Sequence, residues 1–156
     1  MKLSRFVRVA VFAAAGTAAA CHSASPLEGP SPLPAISGLN GTSWQLVRFI
    51  GGDDTVLLPR AGAAYTVEFG SGGELSARVD CNRGRGSWQS SGPNQLQFGP
   101  LALTRALCPD QTLHDQIIRQ WDFVRSYVLK DRRLFLSLMA DGGVYEFEPM
   151  GSNAAK

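Results

Sequence analysis

From residue 39 onward, apolar and polar positions alternate in short runs parted by glycine-rich turns, the pattern of half-buried β-strands. Ser43 to Ile50 (SWQLVRFI) reads as a first strand, closed by Gly51-Gly52-Asp53-Asp54. Tyr65 to Phe69 alternates cleanly and ends at the turn 70–73, and Leu75 to Val79 follows as another strand. Ser87–Gln89 and Leu96–Phe98 are brief runs on either side of the turn 91–94. Past Pro109 the period changes to that of a helix, with Asp110 placed as its N-cap. Leu113, Ile117, Ile118, Trp121 and Val124 fall on one side, and His114, Asp115, Arg119 and Asp122 on the other. The apolar stripe is read as core and His114 as a surface residue. Two hairpins close the pattern: Tyr127–Leu129, turn 130–133, Leu134–Leu138, turn 141–143, Val144–Glu148. Strands around one helix predict an α+β fold: a small, curved, half-barrel-like antiparallel sheet with one main α-helix packed on it. The domain is expected over residues 39–150, with a disordered tail at 151–156.

The first forty residues have a different pattern. Residues 1–8 (MKLSRFVR) are cationic, and residues 9–20 (VAVFAAAGTAAA) are apolar and uncharged. Twelve apolar residues are too few to span a bilayer, which takes about 20. They fit the core of a signal peptide over residues 1–20. Ala18-Ala19-Ala20-Cys21 resembles a bacterial lipobox, with Ala18 where Leu is usual, and it also satisfies an ordinary signal-peptidase site. Residues 21–38 then form a tether from a lipidated Cys21, with prolines at 26, 30, 32 and 34 and no periodicity. Diacylated attachment gives stable membrane anchoring. His22 stands where an inner-membrane retention signal would place Asp, which points to the outer membrane, facing the periplasm.

This leader changes the meaning of the charge. The full chain carries +2, but Lys2, Arg5 and Arg8 lie in the leader and no acid does. Removing those three of the 15 basic residues leaves 12 against 13 acidic ones, a net of −1. A near-neutral domain gives no electrostatic case for nucleic-acid binding.

The cysteine count bears on lipidation too. Of Cys21, Cys81 and Cys108, lipidation of the first leaves an even pair for an oxidising compartment. A Cys81–Cys108 bridge closes a loop of roughly 28 residues, contributing about 3–4 kcal/mol in the chain-entropy model. The competing reading is a reactive thiol, although neither Cys has an adjacent His. Asn82, Gly84 and Gly86 within Asp80–Trp88 (DCNRGRGSW) are read as a tight turn with positive φ. As a phosphate loop the same stretch lacks Gly-Lys-Ser/Thr. His114 is the only domain histidine, and nothing marks a nucleophile elbow or metal-ligand spacing. Asp53-Asp54 lacks the oxygen-rich context of a calcium loop. Lys130-Asp131-Arg132-Arg133 reads as a solvated hairpin turn. No metal and no cofactor is expected.

Three stretches resemble the META domain family, which includes the HslJ-like heat-inducible proteins. Leu39 to Leu46, with Trp44 (LNGTSWQL), is similar to the family's opening L-x-G-T-x-W-x-L. Cys81-Asn82 followed by Gly86 and Trp88 resembles its C-N-x-x-x-G-x-aromatic signature. Thr104 and Cys108 fit its T-x-M-A-C element, with Ala106-Leu107 in place of Met-Ala. The resemblance implies a small α+β domain, common in envelope lipoproteins, with no established catalytic activity and a fold similar to a lipid-binding pilot lipoprotein. The expectation is therefore a monomeric, non-enzymatic envelope lipoprotein. It would be held to the membrane by its lipid and bind a protein or hydrophobic ligand in stress tolerance. The rivals are an inhibitor of a hydrolase, such as lysozyme or a protease, and a thiol-dependent enzyme.

Overall fold

The computed structural model describes residues 38–109 and 112–151. The leader, Cys21, all of the tether but Gly38, the Asp110 cap and all but the first residue of the tail lie outside them.

Strand β1 (Thr42–Ile50) occupies the middle of the sheet, between β3 (Tyr65–Phe69) and β10 (Val144–Pro149). Strict alternation along β1 would put Trp44, Leu46, Arg48 and Ile50 on one face. A bulge in its pairing with β10, between Leu46 and Arg48, resets the alternation. Trp44, Leu46 and Phe49 are therefore buried, and Arg48 faces out. One side of β1 continues through β3 to β4 (Glu74–Val79) and β5 (Asn82–Gln89). The other continues through β10 to β9 (Arg133–Leu138) and β8 (Val124–Lys130). All these pairings are antiparallel.

Two short strands, β6 (Gln97–Phe98) and β7 (Ala102–Leu103), both pair along the free edge of β5. Backbone bonds from Gly99 N to Ser87 O (2.8 Å) and Thr104 N to Arg83 O (2.9 Å) make them one interrupted edge. The sheet also meets itself. Leu96 N donates to Arg125 O (3.0 Å) and Tyr127 N to Asn94 O (2.9 Å), joining the β6 end to β8. The half-barrel expected from the strand pattern is thus a nearly closed one. A further two-residue strand, β2 (Val56–Leu57), pairs with the end of β1. β2 and β7 are too short to carry a period that a sequence could reveal.

The helix α1 (Thr112–Gln120) is shorter than the stripe suggested. A 3₁₀ turn follows at Trp121–Phe123, and Val124 already belongs to β8, opposite Leu138. Leu113 is buried, Ile117 and Trp121 pack against the core, and Ile118 is exposed. Trp121 stacks on Phe98 at 4.5 Å between ring centroids, and its indole N–H donates to Gly99 O (2.9 Å). The helix thereby covers the inward face of the barrel.

The turn at the heart of the distinctive motif is also smaller than expected. Val79 pairs with Asn82, so the hairpin loop is Asp80-Cys81, with Asp80 at φ 56°. Gly84 and Gly86 are strand residues rather than turn residues, and they serve close packing. A Cβ on Gly84 would lie 2.8 Å from Leu101 Cδ1 and 2.9 Å from Leu103 Cδ1, and one on Gly86 2.9 Å from Pro100 O. The turn Asp131-Arg132 does lie where expected, both residues having positive φ, as a type I′ hairpin loop requires.

Candidate functional site

Four of the family-like residues, Cys81, Asn82, Thr104 and Cys108, converge on one place, built around Asn82 at the start of β5. Its side chain is 1% exposed. Oδ1 accepts from Ala106 N (2.7 Å) and Thr104 Oγ1 (3.0 Å), while Nδ2 donates to Ala106 O (3.0 Å). Nδ2 also lies 3.3 Å from both Cys108 Sγ and His114 Nε2. Thr104 Oγ1 in turn accepts from Arg83 N (3.0 Å). Cys81 and Cys108 are disulfide-bonded, with Cα atoms 5.7 Å apart. The β4–β5 turn and the segment 104–108 are thus fastened together by a covalent bond and by a buried amide with both ends satisfied.

His114 lies in this network rather than on a solvent face. Its side chain is 15% exposed, and Nδ1 lies 2.9 Å from Asp115 Oδ1. A neutral ring with the proton on Nδ1 meets both neighbours: it donates to Asp115 and accepts from Asn82. The helical period placed His114 on α1 but could not show that the disulfide side of the domain packs against it.

The two motif tryptophans are core residues with satisfied N–H groups. Trp44 Nε1 donates to Thr42 Oγ1 (2.7 Å), and Thr42 Oγ1 donates to Leu39 O (2.5 Å). Trp88 Nε1 donates to Gly70 O (3.2 Å), and its ring meets Phe69 edge-on at 5.3 Å. Asp53 Oδ1 accepts from Thr55 N (3.1 Å), and this bonding with Thr55 holds its carboxyl below the usual range; the pair shapes a turn.

Two buried charges have no signal in the sequence reading. Asp80 is 3% exposed and takes both its oxygens to Arg60 Nη2 (3.1 and 3.3 Å), tying the loop before β3 to the motif turn. Glu146, on β10, is gripped by Arg48 Nε (2.5 Å) from β1 and by Arg133 from β9. Burial works to raise its pKa, but hydrogen bonds and charge from the two arginines outweigh it and hold the carboxyl below its ordinary value. Arg133 is therefore not part of a merely solvated turn.

The interior leaves little space. Between α1 and the barrel wall lies an apolar cavity of about 40 Å³, lined by Ile117, Trp121, Leu46, Val67 and Phe147 among others. Tyr145 borders it, its hydroxyl donating to Gln120 Oε1 (2.6 Å), and burial pushes its phenol well up. Among the described residues no three His, Cys, Asp or Glu side chains gather in a metal-binding arrangement. No described helix is long and apolar enough to cross a membrane.

The segment carrying the clamp is also the most outwardly marked. Leu107, between Ala106 and Cys108, is 88% exposed, the most exposed large apolar side chain among the described residues.

A family model described as META domain matches residues 37–150. A protein from Burkholderia xenovorans, solved by NMR, is 26% identical, with a TM-score of 0.63 over 84% of this chain and 98% of its own. A DUF4847 family protein from Bacteroides vulgatus shares the fold at 13% identity, with a TM-score of 0.50 over 70% of this chain and 93% of its own. No curated protein matches.

Proposed function

The chain belongs to the META domain family, and on that footing we propose that it is a non-enzymatic, lipid-anchored protein of the bacterial envelope whose domain docks a protein partner in stress tolerance. Residues 1–20 and Cys21 carry the anchoring half of this reading. Leu107 carries the docking half. It projects from a segment already immobilised by Asn82 and the disulfide, so a partner pocket can take it with little ordering cost. A hydrophobic small ligand fits less well, because ligand pockets run to roughly 300–1,000 Å³ and the interior space is about 40 Å³.

The test is photo-crosslinking in intact envelopes from position 107, with position 56 on β2 as an exposed apolar control. A defined adduct from 107 alone is the expected result. No adduct, or the same adducts from both positions, sinks the docking reading. Hydrolysis of envelope substrates by the purified protein, abolished by a point mutation, would end the non-enzymatic one. Palmitate labelling that survives Cys21→Ala would remove the anchor.

The same loop favours a second reading, an inhibitor of a hydrolase, since a rigid loop with a projecting apolar residue suits an enzyme cleft. Absence of inhibition of lysozymes and peptidases at micromolar protein removes it.

A further inference from the structure

On the outer face of the sheet, away from the clamp's interior contacts, three arginines stand together. Arg78 on β4 and Arg83 on β5 are direct cross-strand partners. Arg85 is two residues further along β5, opposite Ser76, and so shares their face. All three are exposed. Directly opposed side chains sit roughly 5 Å apart at Cβ, and like charges there destabilise the pair. Among the described residues neither Arg83 nor Arg85 forms an ion pair. Arg78 Nε donates to Asp80 O (2.9 Å), a neutral acceptor that leaves its charge uncompensated. The three line a groove of about 780 Å³ that Gln45 and Thr66 border from the β1 and β3 side. Glu68 is the one carboxylate lining it. Three cations against one anion is an unusual concentration in a chain whose charges nearly balance once the leader is set aside.

We propose that this groove is a binding site for a small ligand bearing a phosphoryl group. A phosphate monoester carries close to two negative charges on three oxygens, and two neighbouring guanidinium forks match those oxygens with paired N–H donors. Cross-strand placement brings the Arg78 and Arg83 forks to one phosphoryl group. Arg85 adds a third cation for a second phosphoryl group or for a further oxygen of the first. Gln45 and Thr66 supply neutral polar groups for the organic part. The groove is open to solvent and, at about 780 Å³, wide enough to admit a small phosphorylated ligand. This site is separate from Leu107 and does not depend on the docking reading.

The experiment is calorimetric titration of the full chain, in neutral detergent at low salt, with glycerol phosphate and with pyrophosphate. Saturable binding is expected. The double variant R83Q/R85Q is expected to weaken it about tenfold or more, because charge-assisted bidentate contacts are lost. E68Q is expected to tighten it, and this opposite sign cannot be produced by a folding defect. No saturation with either phosphate, or affinity unchanged in R83Q/R85Q, overturns the proposal. A parallel arm measures flotation with phosphatidylcholine vesicles with and without phosphatidylglycerol. Flotation on the anionic vesicles that R83Q/R85Q abolishes, with no response to the soluble phosphates, assigns a membrane surface instead and likewise overturns it.

Discussion

Asn82 holds both backbone groups of Ala106, accepting from its N–H at 2.7 Å and donating to its carbonyl at 3.0 Å. A carboxamide is the one side chain of this size that can do both from a single plane. Asn82→Asp keeps the acceptor and turns the donor into a second acceptor facing a buried carbonyl. A loss of about 2–4 kcal/mol is expected, read as a lower urea midpoint. Asn82→Ser is too short to reach Ala106 and gives up both bonds, but it adds no charge and is expected to cost less. Equal losses for the two would show that the buried carboxylate adds no penalty beyond the lost hydrogen bonds.

Removing the covalent half of the clamp has a separate effect. Cys81→Ser with Cys108→Ser is expected to lower stability by about 3 kcal/mol through the freed unfolded chain. Wild type unfolded in reductant is expected to match the double variant. Were wild type to keep its full stability after complete reduction, the hydrogen bonds of Asn82 would be holding the two segments without help.

Glu146 sets an acid limit. Its folded pKa lies below the ordinary carboxylate value, so its contribution is present above the unfolded pKa and is lost as pH falls through the folded one. Arg48 and Arg133 are nearly half exposed, which moderates the contribution to about 1–2 kcal/mol. Glu146→Gln is expected to be less stable than wild type at neutral pH, with the gap beginning to close as pH falls below the ordinary carboxylate value of about 4.3. Urea titrations across pH 3–7 read the difference. A gap constant with pH would refute the charge argument.

The glycines of β5 are expected to be intolerant for steric reasons. Gly84→Ala places a methyl within 2.9 Å of two leucine side chains, costing about 1–3 kcal/mol. Gly86→Ala meets the Pro100 carbonyl, which has backbone rather than a flexible tip to give. Gly86→Ala is therefore expected to be the worse of the two by thermal midpoint.

Much of the fold was legible because strand alternation and glycine-rich turns are local signals. Tyr65–Phe69 and the hairpins around Asp131-Arg132 and Asp141-Gly142-Gly143 lie where the pattern placed them. What the pattern missed is non-local. Val124 continues the helical stripe by spacing, yet its partner Leu138 draws it into β8. Nothing in the run 42–50 announces the bulge that turns Arg48 outward, since that is decided by β10. The disulfide followed from cysteine count, but the burial of Asn82 and the approach of His114 needed the segment 104–108 folded back over the turn. Asp80 and Glu146 were invisible because their arginine partners lie 20 and 98 or 13 residues away.

The first strand of the domain is completed by its last: Trp44 lies opposite Pro149 and Ile50 opposite Val144. Until β10 has been synthesised, β1 has a neighbour on one side only, and the barrel has a gap where its central strand should be sealed. A nascent chain therefore cannot bank a finished N-terminal portion while the ribosome works on the remainder. Contacts between such distant parts slow the search for the native state. A polypeptide built this way stays loose until its last strand is in place, so its rigidity waits on the final residues of the domain.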